Sequence, residues 1–492
     1  MAGKKVIIIG AGFSGMAAAC FLAKEGFQVE VLEKHDQTGG RARRMKMGEF
    51  TFDMGPSWYW MPDVFDHFFE SFGKKTSDYY KLIRLDPSYR IYYGENEFWD
   101  IPAGSLPLGE FLEQHEKGAA KNLELFLADA QKKYQIGMSD MVYKPGLSIS
   151  EFMTWEVFKN GLKMDLLSSF SKLVRRYFKH PKIIQLLEFP VLFLGAKPQD
   201  TPALYSLMNY ADIELGTWYP EGGMYKIVEA MTALAKELGV VFNLNQNVSK
   251  ILVEDGNAKG VQNDKGEVFE TDVVLAAGDY HHIEQVLLDK KYRNYSESYW
   301  EKRVMAPSSL LYYVGLSKKV PAIKHHNLFF DAPFEPHAEE IYDTKTWPIN
   351  PLFYLSATSK TDDSVAPVDG ENLFFLIPIA PGLEGDTEQL RNEYFKMLCK
   401  RLEKQTGQDI LPYVTELRSY AVKEFKEDYN AFKGNAYGLA NTLKQTAILK
   451  PRLVNNKLSN MFYCGQLSVP GPGVPPSLIS GEIVAGLIAK EN

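Results

Sequence analysis

The most constraining feature of this chain lies at its start. An apolar run, Val6-Ile7-Ile8-Ile9, meets Gly10-Ala11-Gly12-Phe13-Ser14-Gly15 and enters an Ala-rich stretch; a second run, Val29-Glu30-Val31-Leu32, then ends at Glu33. Four consecutive β-branched residues read as a buried strand, and three glycines at this spacing read as a tight turn into a helix. Such a turn lets the backbone approach a pyrophosphate, whose charge then faces the helix N-terminus. Glu33 stands at the tip of the second strand, about 20 residues past the glycines, where its carboxylate can accept hydrogen bonds from ribose hydroxyls and would repel a 2′-phosphate. A lone motif of this kind also occurs in turns that merely need small residues, so its meaning depends on the segments that accompany it.

Two further segments fit the same site. In Gly39-Gly40-Arg41-Ala42-Arg43 the glycines permit close backbone approach, and Arg41 offers a planar cation to phosphate oxygens. Near the other end, Gly465-Gln466 and Gly471-Pro472-Gly473-Val474-Pro475 lead into an apolar helix whose N-terminus would present donors and positive dipole to an electron-rich ring. An isoalloxazine that accumulates negative charge gains from such a second helix, whereas a nicotinamide does not need one. The bland readings are a basic surface turn for the first segment and a Pro-rich helix start for the second.

Bulk properties bound the rest. A chain of 492 residues with 45% apolar content can bury a large core, and its length corresponds to about three domains' worth of chain. A net charge of -7 leaves no electrostatic footprint for nucleic acid. Cys20, Cys399 and Cys464 are too widely spaced for a disulfide framework or a CxxC pair, which fits a reducing compartment. No apolar run reaches the roughly 20 residues of a spanning helix. Lys4-Lys5 followed by apolar residues and Ala17-Ala18-Ala19 imitates a signal peptide, but the glycine spacing argues for a cytoplasmic start.

Along the chain, Asp53-Met54-Gly55-Pro56-Ser57 is a tight polar turn followed by Trp58-Tyr59-Trp60. Residues 106–197 have helical periodicity. Strands are expected over 240–244, 248–253 and 268–275, separated by Asp255-Gly256 and Asp264-Lys265-Gly266, as one meander ending at Ala276-Ala277-Gly278-Asp279. A second set, 310–314, 352–357 and 373–378, alternates with a helix capped near Asp386-Thr387 and stopped by Gly407. Met461-Phe462-Tyr463-Cys464 is a short strand, 465–476 a Gly/Pro-rich turn, and 477–490 a helix.

These motifs, with Trp218-Tyr219-Pro220-Glu221-Gly222-Gly223-Met224 and Gly434-Asn435-Ala436-Tyr437-Gly438, resemble the bacterial-type phytoene and carotenoid desaturases over nearly the whole chain. The resemblance implies FAD as cofactor and a C40 polyene as substrate. It also implies an α/β fold: a Rossmann-type FAD-binding domain like that of glutathione reductase and the amine oxidases, a mixed-sheet substrate domain, and a helical membrane-associating region. The corresponding divisions are 1–75 with 220–290 and 450–492 for FAD, 76–105 with 291–449 for substrate, and 106–219 for the helical region. Carried over by residue, Glu33 lies at the adenosine ribose, and Lys34 beside it is counted among the cofactor-binding residues. Gly10, Gly12, Phe13, Ser14, Gly15, Gly40 and Arg41 lie at the pyrophosphate, and Val248 brackets adenine through its backbone. Gly55, Pro56, Ser57, Ala277, Gly278, Asp279, Gly465, Gln466, Gly473 and Val474 fall on the cofactor side. Gly465-Gln466 departs from the Gly-Ala or Gly-acid pair of many members. Within the family the resemblance is to flavobacterial members that desaturate the 3,4 bond of gamma-carotene or its 1-hydroxy derivative.

The reaction implied removes a hydride toward flavin and a proton from the adjacent carbon, with oxygen or a quinone as final acceptor. Developing positive charge beside a polyene makes that proton easy to lose, so positioning, exclusion of water and a weak base suffice. No catalytic residue is assigned; Asp279 reads more simply as a turn cap. A C40 polyene must be drawn from a bilayer, and the basic amphipathic region near residues 155–182 offers an interface to the inner face of the cell membrane. The alternative for that region is a surface helix packing its apolar side on the core. Trp58, Trp60, Trp218 and Tyr219 adjoin the cofactor motifs and are candidate tunnel walls. His281-His282 and His325-His326 suggest no metal, because neighbouring side chains diverge. Rival readings are a phytoene desaturase, another flavin amine or porphyrinogen oxidase, and a non-catalytic prenyl-binding chaperone.

Overall fold

The computed structural model describes residues 3–148, 151, 168–195, 197–442 and 445–491. The opening strand, Lys5–Ile9, takes the centre of a five-stranded parallel sheet in the order Met461–Tyr463, Val273–Ala276, Lys5–Ile9, Gln28–Leu32, Val241–Asn243. Central parallel strands are covered on both faces, which explains a run as uniformly apolar as Val6 to Ile9. One cover is the helix Phe13–Lys24, whose residues Phe13 to Cys20 are all buried. It lies directly on the closing helix, Val474–Glu491: a Cβ on Gly481 would stand 2.4 Å from the Ser14 carbonyl oxygen and 2.8 Å from Ala17 Cβ. The two ends of the chain thus form one layer.

A seven-stranded mixed sheet runs Val414–Tyr420, Ser308–Leu316, Glu371–Ile379, Phe353–Ser356, His326–Phe329, Tyr89–Gly94, Glu97–Ile101. Its pairings are antiparallel except that of Tyr89–Gly94 with His326–Phe329. The helix Glu388–Thr406 packs Tyr394, Phe395, Leu398 and Leu402 on it, starting under the Thr387 hydroxyl, which accepts from Leu390 N at 3.2 Å, and stopping at Gly407 with φ +71°. Those are the expected cap and stop signals.

The expected single meander over 240–275 is instead divided between two sheets. Val241–Asn243 and Val273–Ala276 join the parallel sheet, while Val248–Glu254, Asn257–Asn263 and Val268–Glu270 form a separate antiparallel one. The break falls at Thr271-Asp272, where Asp272 N and Thr271 Oγ1 both donate to the Lys5 carbonyl, at 3.1 and 2.8 Å, and steer the chain between layers. Asn257–Asn263 lacks apolar alternation and carries no strand signal of its own; hydrogen bonds from its neighbours, including Asn460 to both Ala258 backbone groups, hold it.

The helical expectation for 106–197 matches Ser105–Glu113, Ala119–Ile136, Phe170–Tyr177 and Pro181–Glu188. Of the basic amphipathic region, residues 155–167 lie outside the described residues. In the rest, Phe170, Leu173, Val174 and Phe178 are buried in the protein's own core, so this apolar side faces inward. Arg175 pairs with Glu188 and Lys182 with Glu97. No helix among the described residues is long and apolar enough to cross a membrane.

Candidate functional site

The site forms where the opening turn, the Gly39–Arg41 turn and the closing helix converge at the C-terminal end of the central strand of the parallel sheet. Each glycine of the opening motif has its own reason. Gly10 has φ +104° and a Cβ there would lie 3.3 Å from the Ala277 carbonyl oxygen, while a Cβ on Gly15 would strike the Gly10 carbonyl at 2.2 Å. Gly12 is different: nothing lies within 4 Å of where its Cβ would be. That open space faces the start of the Phe13–Lys24 helix, whose first-turn amides have no helical partner. It is the cradle a pyrophosphate needs, and these residues fit the group. Gly40 leans over the same turn, with its Cβ position 3.2 Å from Gly12 Cα, and Gly39 N donates to the Ala11 carbonyl at 2.8 Å.

Glu33 is buried, and its carboxylate accepts from Ala11 N at 2.8 Å and His35 N at 3.0 Å. It therefore ties the strand tip to the glycine turn while keeping lone pairs for a ribose. Gln246 N donates to the Glu33 carbonyl at 2.8 Å, which brings the chain leading into Val248 alongside it. Lys34 turns away: its Nζ donates to the Glu427 carbonyl, and burial lowers its ammonium pKa.

Arg41 is the cation of the site. Its guanidinium lies over the Tyr429 ring, 5.1 Å from the centroid, and Nη2 donates to the Asn435 carbonyl at 3.2 Å. The Gln466 orientation that satisfies both neighbours puts its amide oxygen 3.0 and 2.9 Å from the two terminal nitrogens. Gln466 thus aims Arg41, a role its place in the sequence does not reveal. Arg41 Nε is buried without a partner, and among the described residues Arg41 makes no ion pair. Burial lowers its pKa, opposed by the nearby Asp279. A half-buried guanidinium with an open donor and no ion-pair partner among the described residues calls for an anion. Asn435, which also accepts from Gly438 N at 2.8 Å, is a neighbour of Arg41 that sequence reasoning misses, although its Gly-Asn-Ala-Tyr-Gly segment is the available signal.

Asp279 caps its turn, accepting from His282 N at 3.1 Å and from Phe432 N at 3.2 Å, and burial raises its pKa. Ala277 N donates to the Ile9 carbonyl at 2.9 Å, which places Ala277 and Gly278 against the opening turn. A Cβ on Gly55 would meet the Arg41 carbonyl at 2.3 Å, so Gly55-Pro56-Ser57 runs directly beside Arg41. Gly465 N donates to Ser480 Oγ at 3.0 Å, fixing the second turn onto its own helix. Pro475 and Pro476 have no N–H, so Gly473 and Val474 hold the donors left at that helix start.

Trp58 follows Ser57 and stacks on His326, ring centroids 4.0 Å apart and planes 15° from parallel. Trp60, Tyr89, Phe189 and Tyr354 surround it, each centroid within 6.0 Å of the Trp58 ring. Trp60 Nε1 donates to Thr217 Oγ1 at 2.8 Å. Trp218 and Tyr219 lie on the short strand paired with Leu82–Arg84, where Tyr219 donates to Asp362 at 3.1 Å and Trp218 Nε1 to the Leu215 carbonyl at 2.7 Å. The structure therefore gathers Trp58 and Trp60 into one aromatic wall and sets Trp218 and Tyr219 beside it, Trp218 N donating to the Tyr59 carbonyl at 3.1 Å and the Tyr219 ring lying 4.7 Å from that of His325.

These residues fit a dinucleotide, and the match to flavin-containing oxidoreductases makes the chain a flavoprotein oxidoreductase with FAD as its cofactor. The chain belongs to the flavin-containing amine oxidoreductase family, whose profile matches residues 13–489, and within it to the carotenoid desaturases. It is 38% identical, over 100% of its length and 99% of the relative's, to a carotenoid 3,4-desaturase of Haloarcula japonica. It is 30% identical, over 98% and 93% respectively, to a zeta-carotene-forming phytoene desaturase of Myxococcus xanthus. Among solved structures, an oxidoreductase from Methanosarcina mazei shares the fold at a TM-score of 0.62 with 15% identity, over 97% of this chain and 99% of the other.

Proposed function

We propose that this protein is an FAD-dependent carotenoid desaturase acting on the 3,4 bond of a C40 carotenoid such as gamma-carotene or its 1-hydroxy derivative. The observation that carries this reading is the full-length 38% identity to the carotenoid 3,4-desaturase. When bound, the flavin supplies a two-electron acceptor for hydride. In this reading Gly12 to Gly15 and Arg41 hold the pyrophosphate, Glu33 the ribose, and the Gly473 and Val474 amides the electron-rich ring. The aromatic wall around Trp58 excludes water and lies along a flat polyene. The second hydrogen would leave as a proton, and oxygen or a quinone would serve as final electron acceptor. Residues 1–75, 220–290 and 450–492 serve the cofactor, 76–105 and 291–449 the substrate, and 106–219 a lipid surface at the inner face of the cell membrane. The outward cations Lys172, Arg176 and Lys179 support electrostatic attraction to acidic headgroups there.

The test is anaerobic mixing of the FAD-loaded protein with lycopene, gamma-carotene and their hydroxylated forms in liposomes. Flavin bleaching with a product absorbing at longer wavelength for gamma-carotene or its 1-hydroxy form supports the reading. A flavin bleached by amines and by none of these carotenes overturns it.

A further inference from the structure

The Gly465–Pro476 turn has a polar neighbour on the segment that leads into the last strand. Lys450 and Asn441 are each 4% exposed, and among the described residues neither Lys450 Nζ nor Asn441 Oδ1 has a hydrogen-bond partner. A buried ammonium without a counter-charge and a buried amide oxygen without a donor are both costly, and such pairs are normally satisfied. The two atoms converge on one point of the turn. A Cβ on Gly471 would lie 2.6 Å from Nζ and 3.4 Å from Oδ1, and Gly471 has φ +145°, so only glycine leaves this space. Burial alone pushes the Lys450 ammonium down to about 7, with no carboxylate opposing it. Gly471 is two residues before Gly473, where the closing helix presents its free amides.

A donor with positive character and an acceptor, both unpaired, call for a partner that carries an electron-rich acceptor beside an N–H. The pyrimidine edge of a flavin has that pattern, with carbonyl oxygens flanking the imide N–H. It becomes more electron-rich on reduction, because a hydride brings two electrons and one proton and leaves one negative charge. We propose that Lys450 and Asn441 belong to the flavin site, Lys450 stabilising the reduced form and Asn441 accepting from the imide N–H. The proposal rests on the FAD reading and on the Gly473–Val474 turn facing the ring. Lys450 is a group acting on the cofactor's charge, not on the substrate carbon.

The experiment compares full-length wild type with Lys450→Met and Asn441→Leu, measuring the flavin reduction potential by dye equilibration and the dissociation constant of oxidised FAD. Lys450→Met should bind oxidised FAD nearly as tightly as wild type but lose about tenfold in affinity for reduced over oxidised FAD, a fall of about 30 mV for the two-electron couple. Lys450→Arg should recover most of that shift, and Asn441→Leu should weaken binding of oxidised FAD. If Lys450→Met does not fold, Lys450→Gln keeps a donor without the charge and must show the same fall. A wild-type potential in an FAD-loaded neutral variant overturns the inference and assigns the space to a bridging water. A wild-type protein that neither carries nor takes up flavin overturns the FAD reading itself.

Discussion

Glu33 shows how one side chain serves both fold and site. Its carboxylate holds the amides of Ala11 and His35, so it organises the glycine turn before any ribose arrives. Glu33→Ala should weaken FAD retention by about 1.5–3 kcal/mol, the range for a hydrogen bond to a charged group, read as flavin released on dilution. Unchanged occupancy would count against the assignment. His337 makes a second residue-scale prediction. Its buried ring sits between the Pro378 carbonyl, 2.8 Å from Nε2, and Leu352 N, 3.1 Å from Nδ1, and burial lowers its pKa from 6.5 to about 4. Neutral in the folded chain and protonated in the unfolded one below pH 6.5, it contributes stability that is full above 6.5 and lost as pH falls toward about 4. Denaturant unfolding at successive pH values should show His337→Gln losing one proton's share of that slope, about 1.4 kcal/mol per pH unit. Both roles of Glu33 follow from its place after the strand. The environment of His337 does not, because its partners come from residues 352 and 378.

At the scale of elements, the contact between the Phe13–Lys24 and Val474–Glu491 helices positions both halves of the proposed cofactor site. Gly481 lets the backbones meet, so Gly481→Ala forces them apart and should lower stability by about 1–3 kcal/mol, with weaker FAD retention, in thermal unfolding with and without cofactor. Gly486, exposed on the same helix with nothing within 4 Å of its Cβ position, is the control. Gly486→Ala should raise stability by about 0.5–1 kcal/mol through helix propensity. Elements whose signals are local are legible in the sequence: the opening strand, turn and helix, and the helix that Thr387 caps and Gly407 ends. Asn257–Asn263 is not, because a strand without apolar alternation exists only through its partners. The basic amphipathic region reads in sequence as a lipid face, yet in its described part Phe170, Leu173, Val174 and Phe178 turn inward. Amphipathic spacing states that one side is buried and leaves open against what.

At the scale of the molecule, the proposed cofactor site joins residues from near position 10 to near position 474, so binding FAD should stabilise the whole chain. Free FAD at about 100 times its dissociation constant should add about 2.7 kcal/mol to unfolding, and the midpoint should rise with FAD concentration. A midpoint independent of FAD would mean that the ends are not joined through the cofactor. By itself, the sequence determined the dinucleotide motif, the acidic residue after it and the glycine-rich turn before the last helix, because each depends on backbone freedom and spacing within a few residues. Tertiary structure alone decided that Gln466 and Asn435 aim Arg41, that Trp58 stacks on His326, and that Lys450 and Asn441 meet at Gly471. Those partners are far apart in the chain, and their energies come from burial and charge, which exist only once the layers have closed.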